Sequence, residues 1–351
     1  MRGRSRCMQR IRAVSASRPV HATAQGNPRL PRRNDAGRNG GSPEAEASTT
    51  GGGKLMSRTI VVTGCSTGFG RIVSEQLARA GDRVYATMRG VGGKNSEVAA
   101  ELRGLVQSEG IDLRVLELDV TSDASVEAAA ETVIAESGAP DVLINNAGQM
   151  FMGITEAFTA DEVARQLDIN MVGVHRVIRA FLPAMRQAGS GLIINVSSVA
   201  GRIAGPFFSI YHASKWALEG YSLGLRGELA SSGIDVVSLE PGPFTTELFG
   251  QGPSPADADG RADSYPSSVS HARAEMDAAF DELFADPEIP TDPQEVCDQM
   301  VEIVNMMPGT RPFRVVVGVD FGVRERNDAD APRDAGVLDA MGLTDFATLR
   351  G

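Results

Sequence analysis

The sequence predicts an α/β fold in which one doubly wound, mostly parallel sheet of seven strands is covered by helices on both faces. One observation behind this prediction is that short β-branched runs alternate with segments of helical period along most of the chain. The other is how that pattern starts. The strand-like residues 60–62 are followed by Gly64, Gly68 and Gly70, and then by a helical segment over residues 71–80. Strand, glycine turn and helix together begin a βαβ unit.

A βαβ unit with such a glycine turn can hold the pyrophosphate of a dinucleotide. Glycines allow backbone N–H groups to approach the phosphates, and the N-terminus of the following helix adds partial positive charge. We therefore expect a Rossmann fold with a dinucleotide site. The spacing Gly-x3-Gly-x-Gly differs from the commoner Gly-x-Gly-x-x-Gly. The alternative is thus a turn selected only for tight packing of the strand against the helix.

Six further strands and five further helices are expected in alternation after this unit. The strands cover residues 83–88, 113–118, 142–145, 192–196, 236–239 and 313–317. The helices cover residues 97–109, 123–137, 160–188, 209–231 and 293–306. We expect the long helix over residues 160–188 to break or kink near Pro183, because proline removes a backbone donor.

Both ends of the chain and one internal segment depart from this alternation. Residues 1–55 are rich in arginine and have no apolar pattern, which indicates a disordered leader or a start codon assigned too far upstream. An organellar transit peptide is the alternative for that stretch. Residues 56–325 form the expected single domain, in which residues 250–290 are interpreted as a substrate lid or loop with an acidic amphipathic helix near residues 271–284. Residues 326–351 are expected to be a loosely ordered tail.

Charge and cysteine content exclude several classes of protein. The net charge is −11, and residues 1–54 carry eleven basic and three acidic side chains, so the rest of the chain carries −19. An acidic body argues against a nucleic-acid partner. The three cysteines Cys7, Cys65 and Cys297 are scattered, which indicates a reduced cytoplasmic protein without a disulfide framework or a metal site. No apolar run is long enough for a membrane span.

Three polar residues carry the pattern of a proton-transfer site. Tyr211 and Lys215 are four residues apart in a predicted helix and so share a face, and Ser198 follows the fifth strand, where parallel sheets place their ligand crevice. Tyrosine has a pKa near 10 and becomes a useful base only when that pKa is lowered. A nearby lysine cation together with a positive nicotinamide could lower it. For Tyr-x3-Lys alone, a surface pair on an amphipathic helix is the alternative.

Five motifs taken together resemble the short-chain dehydrogenase/reductase family, specifically its compact single-domain branch. Residues 63–70 are similar to the family's Thr-Gly-x3-Gly-x-Gly loop, and residues 145–148 read Asn-Asn-Ala-Gly as the family does at the end of the fourth strand. The other three motifs are Asn170 in its helix, Ser198 thirteen residues before Tyr211 with Lys215, and Pro241-Gly242 with Thr246. The resemblance covers about residues 58–319.

The resemblance implies a role for each of these residues. Tyr211 is the general acid/base, Lys215 lowers its pKa and binds the nicotinamide ribose, and Ser198 orients the reacting oxygen. Asn170 is implied to hold a water that links Lys215 to solvent; an asparagine that simply bonds backbone is the alternative. The predicted catalytic set is therefore Asn170, Ser198, Tyr211 and Lys215. The predicted cofactor-binding residues are Gly64, Ser66, Thr67, Gly68, Phe69, Gly70, Arg89, Asp119, Val120, Asn146, Ala147, Gly148, Tyr211, Lys215, Pro241, Gly242, Phe244 and Thr246.

The end of the second predicted strand indicates which dinucleotide is preferred. Enzymes that prefer NAD usually place an acid there to bind the ribose 2′-hydroxyl, whereas this chain has Thr-Met-Arg-Gly. Arg89 can instead pair with a 2′-phosphate through its planar guanidinium. We therefore expect NADP(H) to be preferred, with NAD(H) possible. A solvated surface arginine that stacks on adenine is the alternative.

The substrate pocket is expected to be apolar, because apolar side chains follow three strand ends that open toward one crevice. These side chains are Met150, Phe151, Met152, Phe207, Phe208, Phe244, Leu248 and Phe249. Residues 84–89 and the long loop before Pro290 are also similar to hydroxysteroid and retinol dehydrogenases of the family.

The sequence thus predicts an NADP(H)-dependent oxidoreductase that interconverts an alcohol and a ketone or aldehyde on an apolar small molecule. A catalytically silent, nucleotide-sensing protein on the same fold is the alternative, although such a protein could lose the catalytic set freely. The resemblance further suggests a homodimer or homotetramer, formed through the helices that contain Asn170 and Tyr211.

Overall fold

Seven parallel strands form the sheet of a computed structural model of this chain, which describes residues 57–249 and 252–347. The strand order is β3-β2-β1-β4-β5-β6-β7, and the described residues belong to one compact unit. The strands are β1 Thr59–Thr63, β2 Arg83–Met88, β3 Leu113–Glu117, β4 Val142–Asn145, β5 Gly191–Val196, β6 Ile234–Pro241 and β7 Arg314–Val317. This confirms the predicted Rossmann fold, with every pair of strands parallel. The predicted leader, residues 1–55, lies outside the described residues.

The described part of the chain contains ten α-helices. They are α1 Gly68–Arg79, α2 Ser96–Glu109, α3 Asp123–Ser137, α4 Ala160–Leu167, α5 Gly173–Ala188, α6 Ser209–Leu229, α7 Ala258–Arg261, α8 Ser267–Ala285, α9 Pro293–Asn305 and α10 Val323–Ala340. Successive residues of each strand point to opposite faces of the sheet, so the two faces are buried in two separate cores. Val62 belongs to the core that includes side chains of α1, α2 and α9, whereas Val61 belongs to the core that includes side chains of α3, α5 and α6. Burial on both faces explains the continuous apolar runs in the sequence.

The break in the long predicted helix lies earlier than expected. A π-helical turn, Asp168–Val172, separates α4 from α5, while Pro183 is accommodated inside α5. The prediction of a break near Pro183 is therefore wrong. Pro183 is exposed, so the carbonyl that lacks its helical partner can face water. The wide turn instead directs the buried Asn170 side chain toward the loop after β4.

The C-terminal segment is also more ordered than expected. Residues 326–340 belong to α10, whereas a loosely ordered tail was predicted. Polar anchors explain the order: the buried Asn327 donates a hydrogen bond to Glu240 Oε2 at 2.6 Å, and Asp330 forms an ion pair with Arg202. Residues 348–351 of the predicted tail lie outside the described residues.

Parallel strands bring all their carboxyl ends to one edge of the sheet. Sequence order reverses between β1 and β4, which are neighbours, and ligands bind parallel sheets at such a switch point. The loops after β1, β4, β5 and β6 therefore meet there. None of the helices described is both long enough and apolar enough to cross a membrane.

Candidate active site

A cavity of about 860 Å³ opens at this carboxyl edge of the sheet. It runs from the glycine loop after β1, past the ends of β4 and β5, to α8 of the predicted lid. All but two of the predicted catalytic and cofactor-binding residues line it, and the exceptions are Gly70 and Asn170. The motifs that are far apart in the sequence thus converge on one cavity.

The three glycines of the first loop have different tasks. Gly64 and Gly68 have φ values of 73° and 56°, which disfavour a residue with a side chain. Gly68 lines the cavity, and a Cβ there would come no closer than 3.8 Å to another heavy atom, so its backbone is open to a ligand. At Gly70 a Cβ would lie 2.4 Å from the Gly64 carbonyl oxygen. Gly70 is therefore required for tight packing of the loop, which was the alternative to phosphate binding in the sequence analysis.

The start of α1 fits an anionic group. Thr67 is its N-cap residue, and the Thr67 side chain makes no capping hydrogen bond. The first backbone N–H groups of a helix lack partners inside that helix and attract phosphate. Together with the open face at Gly68, this uncapped helix start fits the pyrophosphate of a dinucleotide.

The loops after β1 and β4 are held together by one asparagine and one threonine. Asn146 Nδ2 donates to the Thr63 carbonyl oxygen at 2.9 Å, and Thr63 Oγ1 accepts from the backbone N–H groups of Asn146 and Ala147. These bonds give a structural reason for the presence of both motifs in one chain, because each motif supplies partners for the other. They fix the cavity wall beside the glycine loop.

The end of the cavity next to β2, opposite α8, carries positive charge. Arg89 and Lys94 both line it, and Lys94 was missed by sequence reasoning although it closes the glycine-rich loop after Arg89. Partial desolvation and the charge of Arg89 lower the pKa of Lys94, although its ammonium stays largely exposed. Glu117 holds the loop by accepting hydrogen bonds from the Gly90 and Val91 N–H groups, each at 2.7 Å.

Asp119 borders the same end of the cavity. Burial alone would raise the pKa of its carboxyl, but Thr121 donates to Oδ1 from its backbone N–H and its hydroxyl, and Arg89 and Lys94 lie nearby. The result is a lowered pKa. Asp119 is therefore a carboxylate that accepts hydrogen bonds, and the positive charges of Arg89 and Lys94 stabilise its negative charge.

Tyr211 and Lys215 lie on consecutive turns of α6, with Lys215 Nζ 5.8 Å from the centre of the Tyr211 ring. Both are buried. Burial raises the pKa of Tyr211 to about 12, opposed by a hydrogen bond with Ser198. Without a nicotinamide the effect of burial is the larger one, and the lowering of this pKa by Lys215 together with the nicotinamide stays a prediction. Ser198 Oγ also lies 3.2 Å from the Pro241 carbonyl oxygen, which fixes it at the end of β5.

Lys215 is anchored behind the tyrosine. Its Nζ donates to the Val196 carbonyl oxygen at 2.9 Å. Burial lowers the pKa of Lys215 to about 8, against the opposing charge of Glu219. The ammonium is thus held in place and close to its point of deprotonation.

Asn170 makes three hydrogen bonds from the π-helical turn. Its Oδ1 accepts from the Gln149 N–H at 2.9 Å, and its Nδ2 donates to the Gln149 carbonyl oxygen at 2.9 Å and to Ser214 Oγ at 3.0 Å. The side chain therefore joins the loop after β4 to α6. The implied relay of a water stays a prediction.

The other wall of the cavity is aromatic. Phe280 of α8 contacts Phe249 and Phe208, with ring centres 5.4 and 6.0 Å apart. Met150, Leu248 and Tyr211 belong to the same apolar cluster. Phe151 was predicted to border the pocket but is fully buried against Phe158, because the strand-to-loop turn directs it into the core.

Several lining residues were not singled out from the sequence. Gln149 lines the cavity and has a buried Oε1 with no hydrogen-bond partner among the described residues. Phe321, with φ at 50°, also lines it from the turn after β7. Nothing in the local sequence distinguishes these positions, since only the packing of distant loops brings them to the cavity.

Comparison with known proteins agrees with this geometry. The family model for short chain dehydrogenase matches residues 58–255, more than half of the chain. The chain belongs to the short-chain dehydrogenase/reductase family, whose members are NAD(P)-dependent oxidoreductases, and this confirms the resemblance found in the sequence.

Three relatives illustrate the range of similar enzymes. The chain is 39% identical to a 3-ketodihydrosphingosine reductase of Bacteroides thetaiotaomicron, over 58% of this chain and 74% of the relative. It is 34% identical to human retinol dehydrogenase 8, over 73% of this chain and 79% of the relative. It is 41% identical to human 17-beta-hydroxysteroid dehydrogenase type 1, over 55% of this chain and 59% of the relative.

Two solved structures share the fold. A short-chain dehydrogenase from Streptomyces avermitilis is 32% identical, with a TM-score of 0.61 over 82% of this chain and 98% of that one. A gluconate 5-dehydrogenase from Burkholderia cenocepacia, solved in complex with NADP and tartrate, is 27% identical, with a TM-score of 0.58 over 77% of this chain and 96% of that one.

Proposed function

We propose that this protein is an NADP(H)-dependent oxidoreductase that interconverts an alcohol and a ketone or aldehyde on an apolar small molecule. One observation carries the proposal: the hydrogen-bonded Ser198 and Tyr211 line the same cavity as the glycine loop and an apolar aromatic wall. When bound, the nicotinamide supplies or accepts a hydride. The proton that accompanies the hydride is the task of the chain's own residues.

Tyr211 is suited to donate that proton in the direction of reduction. With a pKa of about 12 the phenol is protonated at neutral pH. Ser198 holds the substrate oxygen beside the phenol, so that the proton moves from Tyr211 Oη to that oxygen as it gains negative charge. The Lys215 ammonium, 5.8 Å from the ring, favours the phenolate that remains.

The preference for NADP(H) rests on Arg89 and Lys94. These two cations lie at the end of the cavity next to β2 and attract a 2′-phosphate. Strand β2 contains no carboxylate that would bind the ribose 2′-hydroxyl of NAD(H) instead. NAD(H) lacks this phosphate, and we propose that it is accepted less well. The NADP complex of the similar gluconate 5-dehydrogenase supports the proposal.

The substrate class rests on the aromatic wall. Phe208, Phe249 and Phe280 offer an apolar surface next to the Tyr211 hydroxyl. An apolar body with one carbonyl or hydroxyl group would bury its surface there and present its oxygen to Ser198. The similar sphingoid, retinol and steroid enzymes carry names consistent with such substrates.

We also propose that the chain forms a homodimer or homotetramer through α5 and α6. A shallow groove runs between these helices, from His175 to Glu228, and Val172 at the start of α5 is 38% exposed. Light scattering on the full chain measures the oligomer directly.

Cys65 and Cys297 are free, buried thiols, which supports the expectation of a reducing, cytoplasmic setting.

A panel of apolar ketones and aldehydes with NADPH tests the proposed function. Oxidation of NADPH is followed by absorbance, and binding of NADPH alone is measured by calorimetry. Turnover of at least one bulky apolar carbonyl compound, above that of small polar ones, supports the proposal. Tight nucleotide binding without turnover of any member favours the nucleotide-sensing alternative.

A further inference from the structure

Two buried carboxyl groups lie behind the proposed active site, between α6 and β6. Glu219 of α6 is 2% exposed and Glu240 of β6 is not exposed at all. Arg314 of β7 reaches both, with Nε 3.1 Å from Glu219 Oε2 and 3.5 Å from Glu240 Oε1. The proposed reaction gives neither carboxyl a role.

The hydrogen bonds of the two carboxyl groups differ. Glu219 accepts from the Ser238 hydroxyl and from Arg314 Nε, so each of its oxygens has a donor. Glu240 accepts from Asn327 through Oε2, while its Oε1 lacks a hydrogen-bond partner among the described residues. A buried carboxylate oxygen without a hydrogen-bond donor is unfavourable, which disfavours the ionised form of Glu240. We therefore assign the proton of the pair to Glu240.

The charges around the pair support this assignment. Glu240 is faced by Glu219 from α6, by Arg314 from β7 and by Arg202 from the turn after β5. Asp330 and Asp334 of α10 pair with these two arginines. Burial and the charge of Glu219 raise the pKa of Glu240 to about 8, which leaves it neutral at pH 7.

Lys215 needs a counter-charge, and Glu219 is placed to give it. The two residues are four apart on α6 and share a face. The Lys215 ammonium is buried and donates to a neutral carbonyl oxygen, and Tyr211 on its other side is neutral at pH 7. Glu219 is the carboxylate whose charge acts against the effect of burial on the pKa of Lys215.

We propose that the buried Glu219, one helical turn from Lys215 and held by Ser238 and Arg314, is a positioning residue that keeps the buried Lys215 ammonium charged, while the neighbouring Glu240 is the protonated carboxyl. The importance of that charge for turnover rests on the proposed function. The ionisation of Lys215 itself does not depend on that function, and it can be measured in the protein without nucleotide or substrate.

The chain has only three lysines, Lys54, Lys94 and Lys215, which makes the measurement direct. Selective labelling of lysine with ¹³C and ¹⁵N gives three sets of side-chain signals, assigned with a Lys94→Arg variant and a variant that starts at Met56. A pH titration of the full chain then yields the pKa of Lys215. We expect a value near 8 in the wild type, so that the ammonium predominates at pH 7.

Glu219→Gln keeps the shape of the side chain and removes its charge. An opposite charge nearby changes a pKa by about 1 or more, so we expect the pKa of Lys215 to fall to about 7 or lower. Glu219→Asp keeps the charge and should retain a value between the two. Glu131→Gln, on the exposed face of α3, should leave it unchanged.

A pH profile of kcat/KM provides the second measurement. Its alkaline limb should move to lower pH in Glu219→Gln and not in Glu131→Gln. The proposal is overturned if Lys215 titrates equally in Glu219→Gln and the wild type. It is also overturned if the wild-type lysine is neutral at pH 7, a result that needs no variant to fold.

Discussion

Asn170 Nδ2 donates a hydrogen bond to Ser214 Oγ at 3.0 Å, and this bond joins the π-helical turn to the helix that carries Tyr211 and Lys215. Ser214 in turn donates to the Tyr211 carbonyl oxygen at 2.7 Å. The remaining bonds of Asn170 hold both backbone groups of Gln149. One side chain thus fixes the relative position of the loop after β4 and α6.

Asn170→Ala should therefore lower stability more than Ser214→Ala. The first change leaves the Gln149 N–H without its partner, at about 1–3 kcal/mol, while the Gln149 carbonyl oxygen keeps its hydrogen bond from Gln166 Nε2. The second keeps those bonds and removes one hydroxyl, at about 1 kcal/mol. Urea unfolding of both variants gives the two free energies. Equal losses would show that the Gln149 bonds do not contribute.

Arg89 and Lys94 should determine the choice of dinucleotide. A charge-assisted pair is worth about 1.5–3 kcal/mol, so kcat/KM with NADP(H) should exceed that with NAD(H) about ten- to a hundredfold. Arg89→Asp should reverse the preference, because it replaces attraction of the phosphate by repulsion. Lys94→Ala should reduce it by less, since that ammonium is exposed and screened.

Arg103→Ala is the control, because it removes an exposed cation from α2 that does not line the cavity. Its cofactor preference should equal that of the wild type. A wild-type enzyme that favours NAD(H), or treats both alike, would remove Arg89 from its assigned role and leave the family assignment intact.

Phe280 should affect the substrate and not the nucleotide. It lines the cavity, whereas Phe284, one turn further along α8, packs on Phe249 without lining it. Phe280→Ala should raise KM for a bulky apolar substrate about tenfold, because the shortened side chain buries less of the substrate's apolar surface. The Kd of NADPH should stay unchanged. Phe284→Ala is the matched control and should change KM by much less. Equal effects of the two variants would place the substrate elsewhere.

The buried Glu240 should make stability depend on pH. Its pKa is raised from 4.5 to about 8 in the folded protein, so the folded state binds more protons than the unfolded state between these values. Its contribution is complete below about pH 4.5 and is lost as the pH rises through 8. In thermal melts, the wild type should lose stability relative to Glu240→Gln from pH 5 to pH 8. A constant difference across that range would contradict the assignment.

The sheet was predictable from sequence because each strand is buried on both faces and therefore reads as an apolar or β-branched run. The glycine loop was predictable for a different reason, since the positive φ of Gly64 and Gly68 favours glycine. The position of the helix break was not. It depends on Asn170 bonding to a loop twenty-one residues earlier, whereas Pro183 was the visible local signal.

Neither the helical order of α10 nor the Glu219–Glu240 pair could be predicted from the sequence. Helix α10 is polar over most of its length, and it is held by side chains such as Arg202 that are more than a hundred residues away. Those residues of the site that belong to a sequence motif, such as Ser198, Tyr211 and Lys215, could be predicted. Lys94, Gln149 and Phe321 belong to no motif and reach the cavity only through packing.

Turnover by Tyr211→Phe tests the central claim most directly. The phenyl ring keeps the packing of this buried side chain and removes only the hydroxyl that is proposed to transfer the proton. With the carbonyl substrate found in the panel and NADPH, we expect kcat to fall about a hundred- to ten-thousandfold while the Kd of NADPH stays within about twofold of the wild type. A Tyr211→Phe variant that binds NADPH and retains near-normal kcat would contradict the account.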